Sequence, residues 1–123
     1  MKLEVLPETF AICRLPAGAP FPVWAGPGFV SLTRTKEEVS VVCEQRLVPA
    51  GTKAENGWRA FRVAGTLDFA LTGILARIST TLAQAGVSIF AVSTFDTDYI
   101  LVREAAFDAA LGALVAAGLE VAK

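Results

Sequence analysis

The sequence predicts an α+β fold of βαββαβ type, and three observations carry that prediction. Period-two strands, helical apolar periods and glycine stops follow one another in that order along residues 58–123. A fainter version of the same order precedes it in residues 1–57. The chain is also apolar enough to pack a core, with 54% hydrophobic and 19% charged residues.

The elements of the C-terminal half are read first. From Trp58 to Ala64 the residues alternate, with Trp58, Ala60, Arg62 and Ala64 on one face and Arg59, Phe61 and Val63 on the other. That pattern predicts a strand, and Gly65 ends it. Leu71, Ile74, Leu75, Ile78 and Leu82 recur at helical spacing, and Gly86 supplies the stop. Val87 to Thr94 is short and β-rich, hence a second strand. Phe95-Asp96-Thr97-Asp98 is a turn, and Tyr99 to Arg103 returns as the third strand of a hairpin. Phe107, Leu111, Leu114 and Val115 mark a second helix closed by Gly118, and Leu119 to Ala122 is a final strand. The order is that of the ferredoxin-like split unit.

The N-terminal half reads as a worn copy. Glu8 to Leu15 is a strand, and Phe29 to Thr35 with Val39 to Glu44 form a hairpin around Lys36-Glu37-Glu38. Displaced by sixty residues, Thr33 falls on Ser93 and Glu38 on Asp98. Pro16 to Gly28 holds Pro16, Pro20, Pro22 and Pro27 and no helical period, so a proline loop is expected where the first helix would lie. Pro49 to Gly57 is read as a helical turn plus linker. The expected domains are thus 1–57, a degenerate unit without its first helix, and 58–123, a complete one.

Composition excludes several functions. There is no histidine, which removes Ser-His-Asp and Cys-His chemistry and histidine metal sites. Eleven basic and twelve acidic residues leave a net charge of −1 and no basic excess for nucleic acid. The central strands carry Val87, Ile89, Ala91, Leu101 and Val102 with Arg103 alone, unlike an RNA-binding sheet. The uncharged run Leu15 to Thr33 is broken by prolines and cannot span a membrane. With no signal-peptide core at the N-terminus, a cytoplasmic protein without membrane contact is expected. Cys13 and Cys43 form no CxxC motif and are expected to be reduced and buried. No cofactor or metal set is expected.

Two segments could carry chemistry. In Ser93 to Asp98, hydroxyls and carboxylates gather at a hairpin turn. They serve equally as turn formers or as a site in which Asp98 faces a ligand ammonium. In Thr66 to Gly73, a helix start offers free N–H groups that can hold a carboxylate, or an ordinary cap on Thr66 or Asp68. Asp68 and Asp98 as a catalytic pair would need a nucleophile, metal set or cofactor loop beside them, and the sequence offers none. The two segments are expected to meet across an interface between units or chains.

The stretch Ser93-Thr94-Phe95-Asp96-Thr97-Asp98-Tyr99-Ile100-Leu101-Val102-Arg103-Glu104 resembles the ACT domain. The resemblance is to the branch of small bacterial tandem-ACT proteins and CASTOR-type arginine sensors. Gly73 to Ile78, Ala85 to Ile89 and Phe29 to Thr35 fit the same pattern. The resemblance implies a non-catalytic regulatory module that binds a small ligand, commonly an amino acid, at an ACT–ACT interface. It places ligand contacts on Asp98 with Thr94, Phe95 and Thr97, and on Asp68, Leu71, Thr72 and Gly73. Leu71 stands where the arginine sensors carry an acidic residue, which leaves the amino acid open. A homodimer is expected, with output through an unidentified protein partner. The alternative is an interaction domain that dimerises and binds no ligand.

Overall fold

The computed structural model describes residues 2–65 and 73–123. In chain order the strands are β1 (Lys2–Val5), β2 (Phe10–Pro16), β3 (Ser31–Arg34), β4 (Glu38–Glu44), β5 (Ala54–Val63), β6 (Ile89–Ser93), β7 (Asp98–Arg103) and β8 (Glu120–Ala122). Helix α1 (Ile74–Gln84) precedes β6, and α2 (Phe107–Ala116) precedes β8. The chain divides into two compact units. The smaller is Glu8–Trp58, and the larger joins residues 1–7 to Arg59–Lys123.

In the larger unit the strands run β6-β7-β5-β1-β8. Both helices fall where the periodicity predicts them, in the ferredoxin-like order. One strand was not foreseen. Residues 2–5 form β1, antiparallel to β5 at Leu3↔Val63 and parallel to β8 at Leu3↔Val121. It therefore separates the two strands that a plain βαββαβ unit pairs directly. Leu3 is fully buried and joins Phe61, Val63, Ile78, Leu82, Ile100 and Leu114 in one core. Each such side chain contributes about 1.5–3 kcal/mol on burial. Val115, expected on the packed face of α2, is exposed instead.

Both helices stop in the same way. Gly86 (φ 75°) follows α1, with Gly86 N–H donating to Ala83 O and Val87 N–H to Leu82 O. Gly118 (φ 89°) follows α2, with Gly118 N–H donating to Val115 O and Leu119 N–H to Leu114 O. These are Schellman motifs, which need a left-handed residue at the turn. The apolar partners Leu82, Val87, Leu114 and Leu119 are all buried. Arg77 of α1 also donates to Ala117 O at 2.9 Å, placing a cation at the C-terminal end of α2.

In the smaller unit β4 pairs with β3 and β2, and β2 pairs with the first half of β5. That half was read as linker. Its sequence Ala-Glu-Asn-Gly lacks alternation, and pairing with β2 at Cys13↔Ala54 and Ile12↔Glu55 makes it a strand all the same. The helical turn near it, among the described residues, is a 3-10 turn at Gln45–Leu47. Between β2 and β3 the proline loop holds one 3-10 turn, Val23–Ala25, whose Trp24 and Ala25 pack on the small core.

Cys13 and Cys43 are thirty residues apart in sequence but diagonal neighbours on one face of β2 and β4, since Cys13 pairs with Val41 and Ala11 with Cys43. Both are free and buried. Burial raises both thiols. Cys43 is pushed up to about 12 by desolvation, by the neighbouring Cys13, to whose sulfur it hydrogen-bonds, and by Glu44. Among the described residues no helix is long and apolar enough to cross a membrane.

The thiols set a pH dependence. The unfolded chain releases the Cys43 proton near its ordinary 9.0, whereas the folded chain keeps it to about 12. Folded protein then binds more protons, so this contribution is complete below pH 9.0 and is lost as pH rises toward about 12. Urea denaturation from pH 9 upward should show a steeper loss of stability in the wild type than in Cys43→Ala. The difference should reach at most about 1.4 kcal/mol per pH unit. Equal slopes would mean that the thiol ionises alike in both states.

Candidate functional site

The hairpin of β6 and β7 pairs Ser93 with Asp98, leaving residues 94–97 as the turn. Thr94 closes it. Its N–H donates to Thr97 O at 2.8 Å. Its hydroxyl donates to the same carbonyl at 3.1 Å and accepts from Thr97 N–H at 3.2 Å. Thr97 is 4% exposed, and its hydroxyl donates to Val63 O at 2.6 Å. The turn is thereby fastened to the end of β5, within one unit and without a second chain.

Asp98 stands at the first position of β7, half-buried. Ser93 Oγ donates to Asp98 Oδ1 at 2.5 Å. This orients the carboxylate, and among the described residues no other donor meets it. The nearest cation in sequence on β5, Arg62, is committed elsewhere. It bonds Glu4 at 2.8 Å, and hydrogen bonds to Glu4 and then to Tyr99 raise its guanidinium further. An oriented carboxylate with open lone pairs suits an ammonium or another charged donor. Phe95, at the tip, is 79% exposed.

Gly73 caps α1 with φ 84° and accepts the Arg77 N–H at 2.8 Å. Among the described residues no side chain caps this helix, and a Cβ at Gly73 would meet nothing within 4 Å. Asp68, Leu71 and Thr72 lie outside the described residues. Of the expected contacts, the structure therefore brings together Thr94, Thr97 and Asp98. It leaves Phe95 outward and sets Gly73 at the helix start, with no hydrogen bond to the turn. Ser93 was part of the motif but not among the expected contacts. Its cross-strand pairing with Asp98 is what gives it a role. The Val63 carbonyl has no signal in sequence, being backbone.

The smaller unit contains the same turn. Thr35 N–H donates to Glu38 O at 2.9 Å, Thr35 Oγ1 donates to that carbonyl at 3.4 Å, and Glu38 N–H donates to Thr35 Oγ1 at 3.2 Å. Bond for bond, Thr35 matches Thr94 and Glu38 matches Thr97. The two hairpins are thus fifty-nine residues apart rather than sixty. The residue matching Asp98 is Val39, fully buried, so only one of the two turns presents a carboxylate there.

A family model for the ACT domain matches residues 53–116, which is more than half of the chain. The chain belongs to the ACT domain family. A second family model, of an N-terminal domain, matches residues 8–51. The ACT chain is similar to a crystal structure of an Agobacterium tumefaciens protein, with 39% identity and a TM-score of 0.92 over 98% of this chain and 90% of that one. It also shares its fold with a Vibrio cholerae protein described as a possible transport protein, with 21% identity and a TM-score of 0.73 over 94% and 88%. The ligand-free regulatory subunit of aspartate kinase from Thermus thermophilus aligns at 10% identity and a TM-score of 0.66 over 95% and 97%. No curated protein matches the sequence.

The buried bond at Thr97 gives a direct test of how the ACT hairpin is held. Thr97→Val keeps the shape and leaves the Val63 carbonyl without its donor, which should cost about 1–3 kcal/mol in chemical denaturation. Thr97→Ser keeps the hydroxyl and should cost clearly less. Equal losses in the two variants would assign the effect to the methyl group.

Proposed function

We propose that this ACT protein is a regulatory module without catalytic activity that binds an amino acid at an interface between ACT units. The observation that carries the reading is Asp98, a carboxylate oriented by Ser93 on a turn anchored through Thr97. An α-amino acid needs one anionic and one cationic site. Asp98 supplies the first, and the start of α1 at Gly73, with Asp68, Leu71 and Thr72 before it in sequence, supplies the second. Thr94 and Thr97 shape the turn, and Phe95 offers an apolar surface beside it. The fold shared with an aspartate kinase regulatory subunit supports a regulatory role.

The matching turn in the smaller unit supports reading the expected 1–57 region as a degenerate ACT-like unit and 58–123 as the βαββαβ order of a full one, to which residues 2–5 add a strand, in the manner of the CASTOR-type branch. The protein acts as a cytoplasmic homodimer and passes its signal to a protein partner. Its two reduced, buried cysteines fit a reducing compartment.

A thermal-shift screen of the amino acids should find the ligand, since a ligand at a hundred times its Kd stabilises by about 2.7 kcal/mol. Asp98→Asn keeps the turn and removes the charge. Calorimetric titration should show a tenfold to hundredfold loss of affinity, the equivalent of about 1.5–3 kcal/mol for a charged hydrogen bond. Equal affinities would make Asp98 a turn former only. A screen without any hit would favour a pure interaction domain. Sedimentation should show a dimer at micromolar concentration, and a monomer there would remove the proposed interface between chains.

A further inference from the structure

The larger unit carries a concave site separate from the hairpin turn. A cleft of about 620 Å³ is lined by Val5, Pro7, Arg59, Phe107 and Lys123. That volume lies within the range of small-molecule sites, roughly 300–1,000 Å³. Three of its walls are apolar, and the two polar ones are both cationic.

Arg59 is unusually well fixed. Its guanidinium lies 4.5 Å above the Phe107 ring. That ring stacks on Phe61 at 5.5 Å and 10°, and Phe61 is fully buried in the core. One guanidinium nitrogen also donates to Leu6 O at 3.4 Å. Among the described residues no carboxylate pairs with Arg59, and its buried Nε has no hydrogen-bond partner. A guanidinium resting over an aromatic ring keeps its planar fork of donors, which matches a carboxylate. The ring contact and the bond to Leu6 O fix the cation in place, and neither supplies an anion beside the apolar cleft. Lys123, a second basic residue, lines the same cleft.

We propose that this cleft binds a small organic carboxylate with a flat or branched apolar body. The carboxylate meets Arg59 and Lys123, and the body lies against Val5, Pro7 and Phe107. The site uses neither Asp98 nor the start of α1. It would therefore give the protein a second ligand input, chemically opposite to the ammonium site at the hairpin.

The probe is phenylacetate, titrated into the full chain and followed by amide chemical shifts and calorimetry. Phenylacetamide serves as the uncharged isostere and inorganic phosphate as the charge without the ring. Phenylacetate should shift the Val5, Arg59 and Phe107 amides saturably and bind at least tenfold more tightly than either control. Arg59→Gln should weaken it tenfold to hundredfold, and Lys123→Gln should weaken it several-fold. Asp98→Asn should leave it unchanged, which separates this site from the hairpin. Should Arg59→Gln fail to fold, the wild-type comparison with phenylacetamide and the Lys123→Gln titration still decide. The proposal is overturned if phenylacetate gives no saturable shift at these amides at millimolar concentration. It is equally overturned if phenylacetamide or phosphate binds as tightly, or if a folded Arg59→Gln protein binds phenylacetate like the wild type.

Discussion

The bond from the Thr97 hydroxyl to the Val63 carbonyl is the constraint on which the hairpin site rests. It is short, buried and joins two segments thirty-four residues apart. A hairpin turn with an exposed tip would otherwise be free to move relative to the strand that leads toward α1. Because a buried carbonyl without a donor is costly, the native state holds the turn in one place. Asp98 follows Thr97 directly, so its carboxylate inherits that position, and Ser93 then fixes its rotation. Side-chain preorganisation of this kind lowers the cost of capturing a charged group.

The same bond explains where sequence reasoning stopped. Ser93 to Asp98 was legible as a turn rich in hydroxyls and carboxylates, because those residue types favour turns by their own local bonds. The division of labour was not legible. Thr97 turns inward to a backbone carbonyl and Asp98 stays half-buried at the strand start, and neither outcome is written in composition. The helices and their stops were legible, since apolar period and glycine are local signals. Residues 2–5 were not, because four residues carry little pattern and their partners lie at 61–63 and 120–122. The first half of β5 was hidden for a similar reason, since its polar residues become a strand only through pairing with β2.

The two threonine turns sharpen the functional reading. They share three hydrogen bonds, yet one is followed by a fully buried valine and the other by a half-buried aspartate. The turn itself is therefore sufficient to build a hairpin in this chain and needs no carboxylate after it. Asp98 is an addition to a turn that closes without a carboxylate at that position.

The place of β1 has a consequence for how the chain reaches its native state. The larger unit sets residues 2–4 beside residues 120–122 in a parallel pair, with β5 on the other side. Its central sheet therefore cannot close until residues 120–122 reach residues 2–4, and the entropy of closing that loop precedes any reward from the contact. Until then Leu3 and the inner face of β5 are without their neighbours. Assembly of this unit depends on a contact of long sequence separation, and a fragment beginning at residue 58 would lack the strand that fills its centre.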